Sequence, residues 1–106
     1  MARALINVPK TARRGEVVEV KVLLAHPMET GFRPGPDGAV LPRNIVERLV
    51  CTYNGEEVFR AVLSPAIAAN PFLSFTTVAT ETGTLALTWT GDGGFSQTET
   101  ATITVA

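Results

Sequence analysis

The spacing of the apolar residues constrains this chain more than any other feature. Between residues 16 and 25, Val18, Val20, Val22 and Leu24 fall on one face, while Glu19 and Lys21 fall on the other. Alternation of period two marks a half-buried strand, because successive side chains on a strand point to opposite faces. The pattern returns over residues 45–53, over residues 58–63, at Leu73, Phe75 and Thr77, and at Leu85, Leu87 and Trp89. It also closes the chain, where Ala101, Ile103 and Val105 are predicted to face inward and Thr100, Thr102 and Thr104 outward. Asn54-Gly55 separates two such runs. That pair is a hairpin signal, since both turn positions need positive φ. A two-residue turn there predicts Cys51 opposite Val58, Leu49 opposite Arg60 and Val50 opposite Phe59.

With a short strand over residues 4–8, the count is seven strands. No segment carries a 3.6-residue apolar period over three turns. Seven short antiparallel strands in 106 residues predict one domain, spanning residues 1–106, with an all-β, immunoglobulin-like sandwich fold. Apolar residues make up 45% and charged residues 18%, a balance that excludes a disordered chain. Cys51 is the only cysteine, so the sandwich has no internal disulfide. Trp89 shares a face with Leu85 and Leu87 and is expected to anchor the core.

Several function classes drop out on composition. A formal charge of −1 supplies no drive toward nucleic acid or an anionic membrane. The apolar runs are too short for a membrane helix. The first eight residues, followed by Pro9, are too short and interrupted for a secretory signal, and Arg13-Arg14 reads as a charged turn. His26 is the only histidine, so metal sites and Ser-His-Asp mechanisms would all depend on one ring. No serine sits in a Gly-x-Ser-x-Gly elbow and no Asp-x-Asp-x-Asp-Gly calcium loop exists. Residues 91–94, Gly-Asp-Gly-Gly, read as a hairpin turn rather than a phosphate cradle. Glu56 and Glu57 point to opposite faces, a poor arrangement for acid–base work. Cys51 lies mid-strand and is expected to be an inert, buried thiol with a raised pKa. No catalytic residue, metal or cofactor is predicted, and the chain reads as a binding or scaffold module.

Two stretches do not fit a minimal sandwich. Residues 26–44 hold four of the seven prolines and three of the nine glycines. Prolines lack the backbone donor a ladder needs, so this stretch is expected to be a loop rather than a strand. Its start, His26-Pro27-Met28-Glu29, reads as a structural bend or partner contact; its tip, residues 33–38, is expected to order only in a complex. Residues 64–71 form an apolar loop with a proline near each end, a composition that suggests a partner surface. Ile67, Pro71, Phe72, Phe75 and Phe32 are the candidate partner-binding anchors. Arg33 and Arg43 are candidates to steer anionic groups or enzyme surfaces.

The residues also carry a family resemblance. Gly15-Glu16-Val17-Val18-Glu19-Val20 leading to His26-Pro27-Met28-Glu29-Thr30-Gly31 resembles the SoxZ subunit of the bacterial sulfur-oxidising Sox system. Pro42-Arg43, the run from Cys51 to Phe59, and Ser64-Pro65-Ala66-Ile67-Ala68-Ala69-Asn70-Pro71-Phe72 extend it, and Leu87-Thr88-Trp89-Thr90 and Thr98-Glu99-Thr100 complete it. The resemblance implies a non-catalytic subunit that pairs with a SoxY-like chain. In that family the C-terminal cysteine of SoxY carries sulfur intermediates during thiosulfate oxidation, and Sox enzymes make transient contact with the complex. It further implies a periplasmic protein exported with a signal-bearing partner. The residues themselves leave two other classes open: a sugar-binding or adhesion-like sandwich, and an enzyme built around His26.

Overall fold

The computed structural model describes residues 3–106. Its strands are β1 (Ala4–Asn7), β2 (Thr11–Ala12), β3 (Val17–Leu24), β4 (Val46–Tyr53), β5 (Glu56–Val62), β6 (Phe72–Val78), β7 (Gly83–Gly91) and β8 (Ser96–Val105). They form a three-stranded sheet, ordered β1-β3-β6, and a five-stranded sheet, ordered β2-β8-β7-β4-β5. The immunoglobulin-like sandwich predicted from the period-two pattern is the fold observed. The strand count is eight rather than seven. The extra element, β2, runs parallel to β8, with Thr11 opposite Thr104. The N-terminal segment leaves the small sheet after Asn7, turns at Pro9, which cannot donate to a ladder, and joins the large sheet.

The inner faces are the apolar phases of the alternation. Val18, Val20, Val22 and Leu24 of β3 are at most 2% exposed and face Leu49, Cys51, Leu85, Leu87, Trp89 and Ile103 of the other sheet. Burying each large aliphatic side chain contributes about 1.5–3 kcal/mol relative to exposure.

Asn54 and Gly55 both adopt positive φ, and the first two pairs beyond them, Tyr53–Glu56 and Thr52–Glu57, keep the expected register. A bulge then intervenes, so Cys51 lies opposite Phe59, Val50 opposite Arg60 and Leu49 opposite Ala61. The predicted Cys51–Val58, Leu49–Arg60 and Val50–Phe59 pairs are therefore displaced by one residue. Core packing explains the shift. In the bulged register Phe59 lies against the core and stacks on Phe75 with ring centroids 4.1 Å apart, while Val58 is left outside.

Residues 26–44 contain no strand, as expected, but they are not structureless. They fold into a doubled-back arm held by isolated bridges between Glu29 and Asn44 and between Pro34 and Val40. The prolines prevent a continuous ladder, as their chemistry requires. The tip is closed by the Gly38 N–H donating to the Gly35 carbonyl at 3.0 Å and by the Asp37 carboxylate accepting from Ala39 N–H at 3.0 Å.

Candidate functional site

One end of the sandwich gathers the arm, the 64–71 loop and the short 3-10 turn Asp92–Gly94 between β7 and β8. His26 joins them. Its backbone N–H donates to Asn70 Oδ1 at 3.0 Å, and its carbonyl accepts from Asn70 N–H at 2.8 Å, so the two unusual loops are tied to each other. Its ring, only 5% exposed, packs edge-on against Phe95 at 5.3 Å, and Nδ1 accepts the Met28 N–H at 3.0 Å. Met28 occupies the left-handed region, φ 50°, and its sulfur accepts the Val46 N–H at 3.3 Å. The His26-Pro27-Met28-Glu29 motif is thus a latch at the base of the arm. His26 and Met28 turn inward, and Glu29 supplies the first backbone bridge.

With Nδ1 accepting, neutral His26 carries its proton on Nε2. Burial lowers its pKa, and the charge of Asp92 opposes this only in part. Protonation is therefore easier in the unfolded chain. Stability is fully present above the unfolded value, about 6.5, and is lost as pH falls through the lower folded value. Urea midpoints measured between pH 8 and pH 5 should decline below about 6.5, and His26→Gln should flatten that decline. An equal decline in both chains would place its origin elsewhere.

The two arginines proposed to steer ligands are each occupied. Arg33 Nε lies 3.2 Å from both carboxylate oxygens of Glu29, which holds that carboxyl below its usual range. Arg43 forms a fork on Asp92, with Nε and Nη2 each 2.8 Å from a carboxylate oxygen. Asp92 also accepts the Ile45 N–H at 3.1 Å, and its pKa is lowered, chiefly by Arg43. Neither arginine presents an uncompensated charge: Arg33 braces the arm through Glu29, and Arg43 ties the base of the arm to the β7–β8 turn through Asp92.

Of the five expected anchors, three are exposed: Phe32 at 84%, Phe72 at 58% and Ile67 at 38%. Phe75 and Pro71 are corrected to interior positions. Phe75 lies on the inner face of β6 against Phe59, and Pro71 is buried where its carbonyl accepts the Leu24 N–H at 3.1 Å. Phe32 stands on the arm. Phe72 instead forms a row with Leu23 and Leu5 across the outer face of the small sheet. The next row in the register is Asn7, Lys21 and Ser74, and Lys21 pairs with Glu19 at 3.5 Å, so this apolar strip is one residue deep.

The outer face of the large sheet has a different character, which sequence reasoning passed over. Along β7 and β8, every outward position from Thr84 to Thr90 and from Ser96 to Thr104 is Thr, Ser or Ala. Rows run from Thr100 through Ala86 to Thr52, and from Thr98 through Thr88 to Val50, with Thr88 and Thr98 hydroxyls 2.9 Å apart. Charge appears at the margins, as Arg48 and the Arg60–Glu57 pair along β4–β5 and as Lys10, which lines a cavity with Thr102 and Thr104 beside β2. The signal was present: no Lys, Arg, Asp or Glu occupies the outward phase of either strand.

Cys51 is fully buried, and desolvation pushes its thiol up to about 11. At neutral pH it is protonated, and only a thiolate is a competent nucleophile. Cys51→Ser should lower the unfolding free energy by roughly 1–3 kcal/mol through a buried hydroxyl, read from urea denaturation. No loss would mean the serine finds a partner there. Among the described residues, no group of three or more His, Cys, Asp or Glu is placed to hold a metal ion.

Comparison with known proteins adds three findings. A family model, sulphur oxidation protein SoxZ, matches residues 6–102. No curated protein matches the chain. Among solved structures, the sulfur carrier protein SoxY from Chlorobium limicola f thiosulfatophilum is similar at 17% identity and a TM-score of 0.68, over 97% of this chain and 78% of that one. A superoxide reductase (neelaredoxin) from Ignicoccus hospitalis gives 17% identity and a TM-score of 0.73, over 97% and 80%. A putative superoxide reductase from Thermotoga maritima gives 15% and 0.74, over 97% and 85%. At these identities the likenesses establish a shared fold and nothing about activity.

Proposed function

The chain belongs to the SoxZ family, and from that premise we propose that it is the non-catalytic subunit of a sulfur-compound carrier complex, paired with a SoxY-type chain. The observation that carries the reading is the family match across residues 6–102. Two features of the chain agree with it. The sole cysteine is buried and protonated, so it is unsuited to carry a sulfur intermediate that enzymes must reach. The SoxY structure shares this chain's fold, so two like sandwiches would make up the complex.

In this reading the partner's cysteine bears the intermediates of thiosulfate oxidation, and the complex works in the periplasm after export with its signal-bearing partner. The arm and the 64–71 loop, with Phe32 and Ile67 exposed, are the contacts offered to visiting Sox enzymes. The latch at His26 and the Arg43–Asp92 fork hold these loops in shape before any partner arrives, which lowers the ordering cost of binding.

The test is co-purification with a SoxY-type chain at micromolar concentration, followed by sulfur transfer with the Cys51→Ser chain in the complex. Stable pairing and undiminished transfer are expected. Absence of pairing would overturn the reading. Loss of transfer in a folded Cys51→Ser complex would move the carrier role to this chain.

A further inference from the structure

We infer that the uncharged outer face of the five-stranded sheet, centred on β7 and β8, is the surface on which the partner sandwich docks, sheet against sheet. The inference rests on the pairing proposed above and names the surface that makes it.

Three observations lead there. The first is charge. Outward positions on an exposed sheet are where a solvated domain places Lys and Glu, and single-sign or mixed charge there discourages association. This face has none along β7 or β8, although the chain has nine basic and ten acidic residues to distribute. The charges it does have lie at its borders: Arg48 and the Arg60–Glu57 pair along the β4–β5 side, and Lys10 beside Thr102 and Thr104 at the β2 side. An uncharged centre bordered by charge matches the depletion of charged residues at the core of protein interfaces.

The second is size. Strands of seven to ten residues, four abreast in β8, β7, β4 and β5, give a projected face of about 26 Å by 19 Å, or ~500 Å². Side-chain relief raises its accessible area toward the ~800 Å² per partner of a standard interface. The Leu5–Leu23–Phe72 strip on the other sheet is more apolar but one residue deep, bounded by Lys21 and Glu19. It lacks the area.

The third is shape and occupant. Threonine and alanine are short, so a facing sheet can approach to the ~10 Å spacing at which sheets pack. The β-branched Thr has few rotamers to lose on docking, and its hydroxyl can trade water for a hydroxyl or carbonyl across the seam. The twist common to all such sheets lets the outer face of one sandwich align with that of another. The SoxY structure shares this fold over 97% of this chain, so a partner of that kind owns an equivalent sheet. Corresponding faces would then meet about a pseudo-twofold axis, the arrangement isologous dimers use.

The experiment mixes the full chain with a SoxY-type chain and reads the dissociation constant and the mass of the complex. Thr98→Arg with Thr100→Arg puts two charges into the centre of the face at exposed positions. It should weaken pairing at least a hundredfold while leaving the unfolding midpoint of the isolated chain near its original value. Should that pair unfold the chain, the single Thr98→Lys, whose long stem reaches water, should still weaken pairing about tenfold. Leu5→Asp with Phe72→Asp should leave pairing intact. Pairing unaffected by the threonine variants and lost with the Leu5 and Phe72 variants would assign the partner to the small sheet and overturn the inference. A homodimer of the isolated chain that the threonine variants dissolve, without loss of heterologous pairing, would give the face to a second copy and overturn it too. Failure of the unmodified chain to bind a SoxY-type chain at all would refute the underlying reading instead.

Discussion

Trp89→Ala is expected to remove about 3–5 kcal/mol of unfolding free energy, the range for truncating a fully buried large aromatic. Trp89 is 1% exposed, stands between Leu49 of β4 and Gln97 of β8 in the register, and is the largest fully buried side chain. The sheets on either side of the vacated volume are anchored by their ladders, so collapse into it is limited, and the cavity adds to the lost transfer energy. A domain of this size has ~5–15 kcal/mol in total, so the variant should melt at least ~10 °C lower and sit close to its unfolding threshold. Urea denaturation followed by far-ultraviolet circular dichroism measures it. A loss under ~1 kcal/mol would mean that the sandwich is held at another centre.

Gly91→Ala is expected to cost about 3 kcal/mol, although it adds one methyl group. Gly91 ends β7 beside an irregularity in β4, where Val46 pairs with Gly91 and Arg48 with Thr90. A Cβ there would collide with the Ile45 carbonyl oxygen and with Val46 Cα, backbone atoms with no side-chain freedom to yield. Overpacking of this kind typically costs ~1–3 kcal/mol, and rigid neighbours put this site at the upper end. The same displacement would disturb the Asp92 N–H donating to the Ile45 carbonyl at 3.0 Å, and with it the turn that carries the Arg43 fork. Gly93→Ala is the useful comparison. Gly93 has φ 68° but nothing within 4 Å of its added Cβ, so only backbone strain of the order of 1 kcal/mol is at stake. Equal losses at both positions would refute the close-approach explanation for Gly91.

Residues 91–94 show where reading the sequence succeeds and where it stops. Their composition identifies a turn, and a turn is found. Nothing in the composition says that Gly91 is required by the proximity of β4, because Ile45 lies 46 positions earlier and the encounter exists only after both strands have paired with each other. The β4–β5 hairpin divides the same way. Asn54-Gly55 specified the turn and its first two pairs by local conformational preference. The bulge that follows was decided by Phe59 reaching Phe75 on the opposite sheet, a contact no local rule contains.

The candidate sites follow the same line. Local alternation told which residues of β3, β4, β7 and β8 point inward, hence that Trp89 and Cys51 are core, since period two is a property of one strand alone. The anchors outside the strands, Phe32, Ile67 and Pro71, could not be sorted by such a rule. Alternation alone puts Phe75 in phase with Leu73 and Phe72 on the other face, but which face is inward, and that Pro71 is buried before the strand begins, depends on what lies across the sandwich. Likewise Arg33 and Arg43 look free in the sequence and are paired in the fold: Glu29 reaches Arg33 across the bend of the arm, and Asp92, 49 residues away, comes to Arg43 from the turn after β7. The sequence alone determined the class of fold, the inward residues and the absence of charge along the outward phase of β7 and β8, because each depends on the order of neighbours. Only the tertiary structure decided that those outward phases lie side by side as one broad face, because strand order in a sheet is set by packing between distant segments.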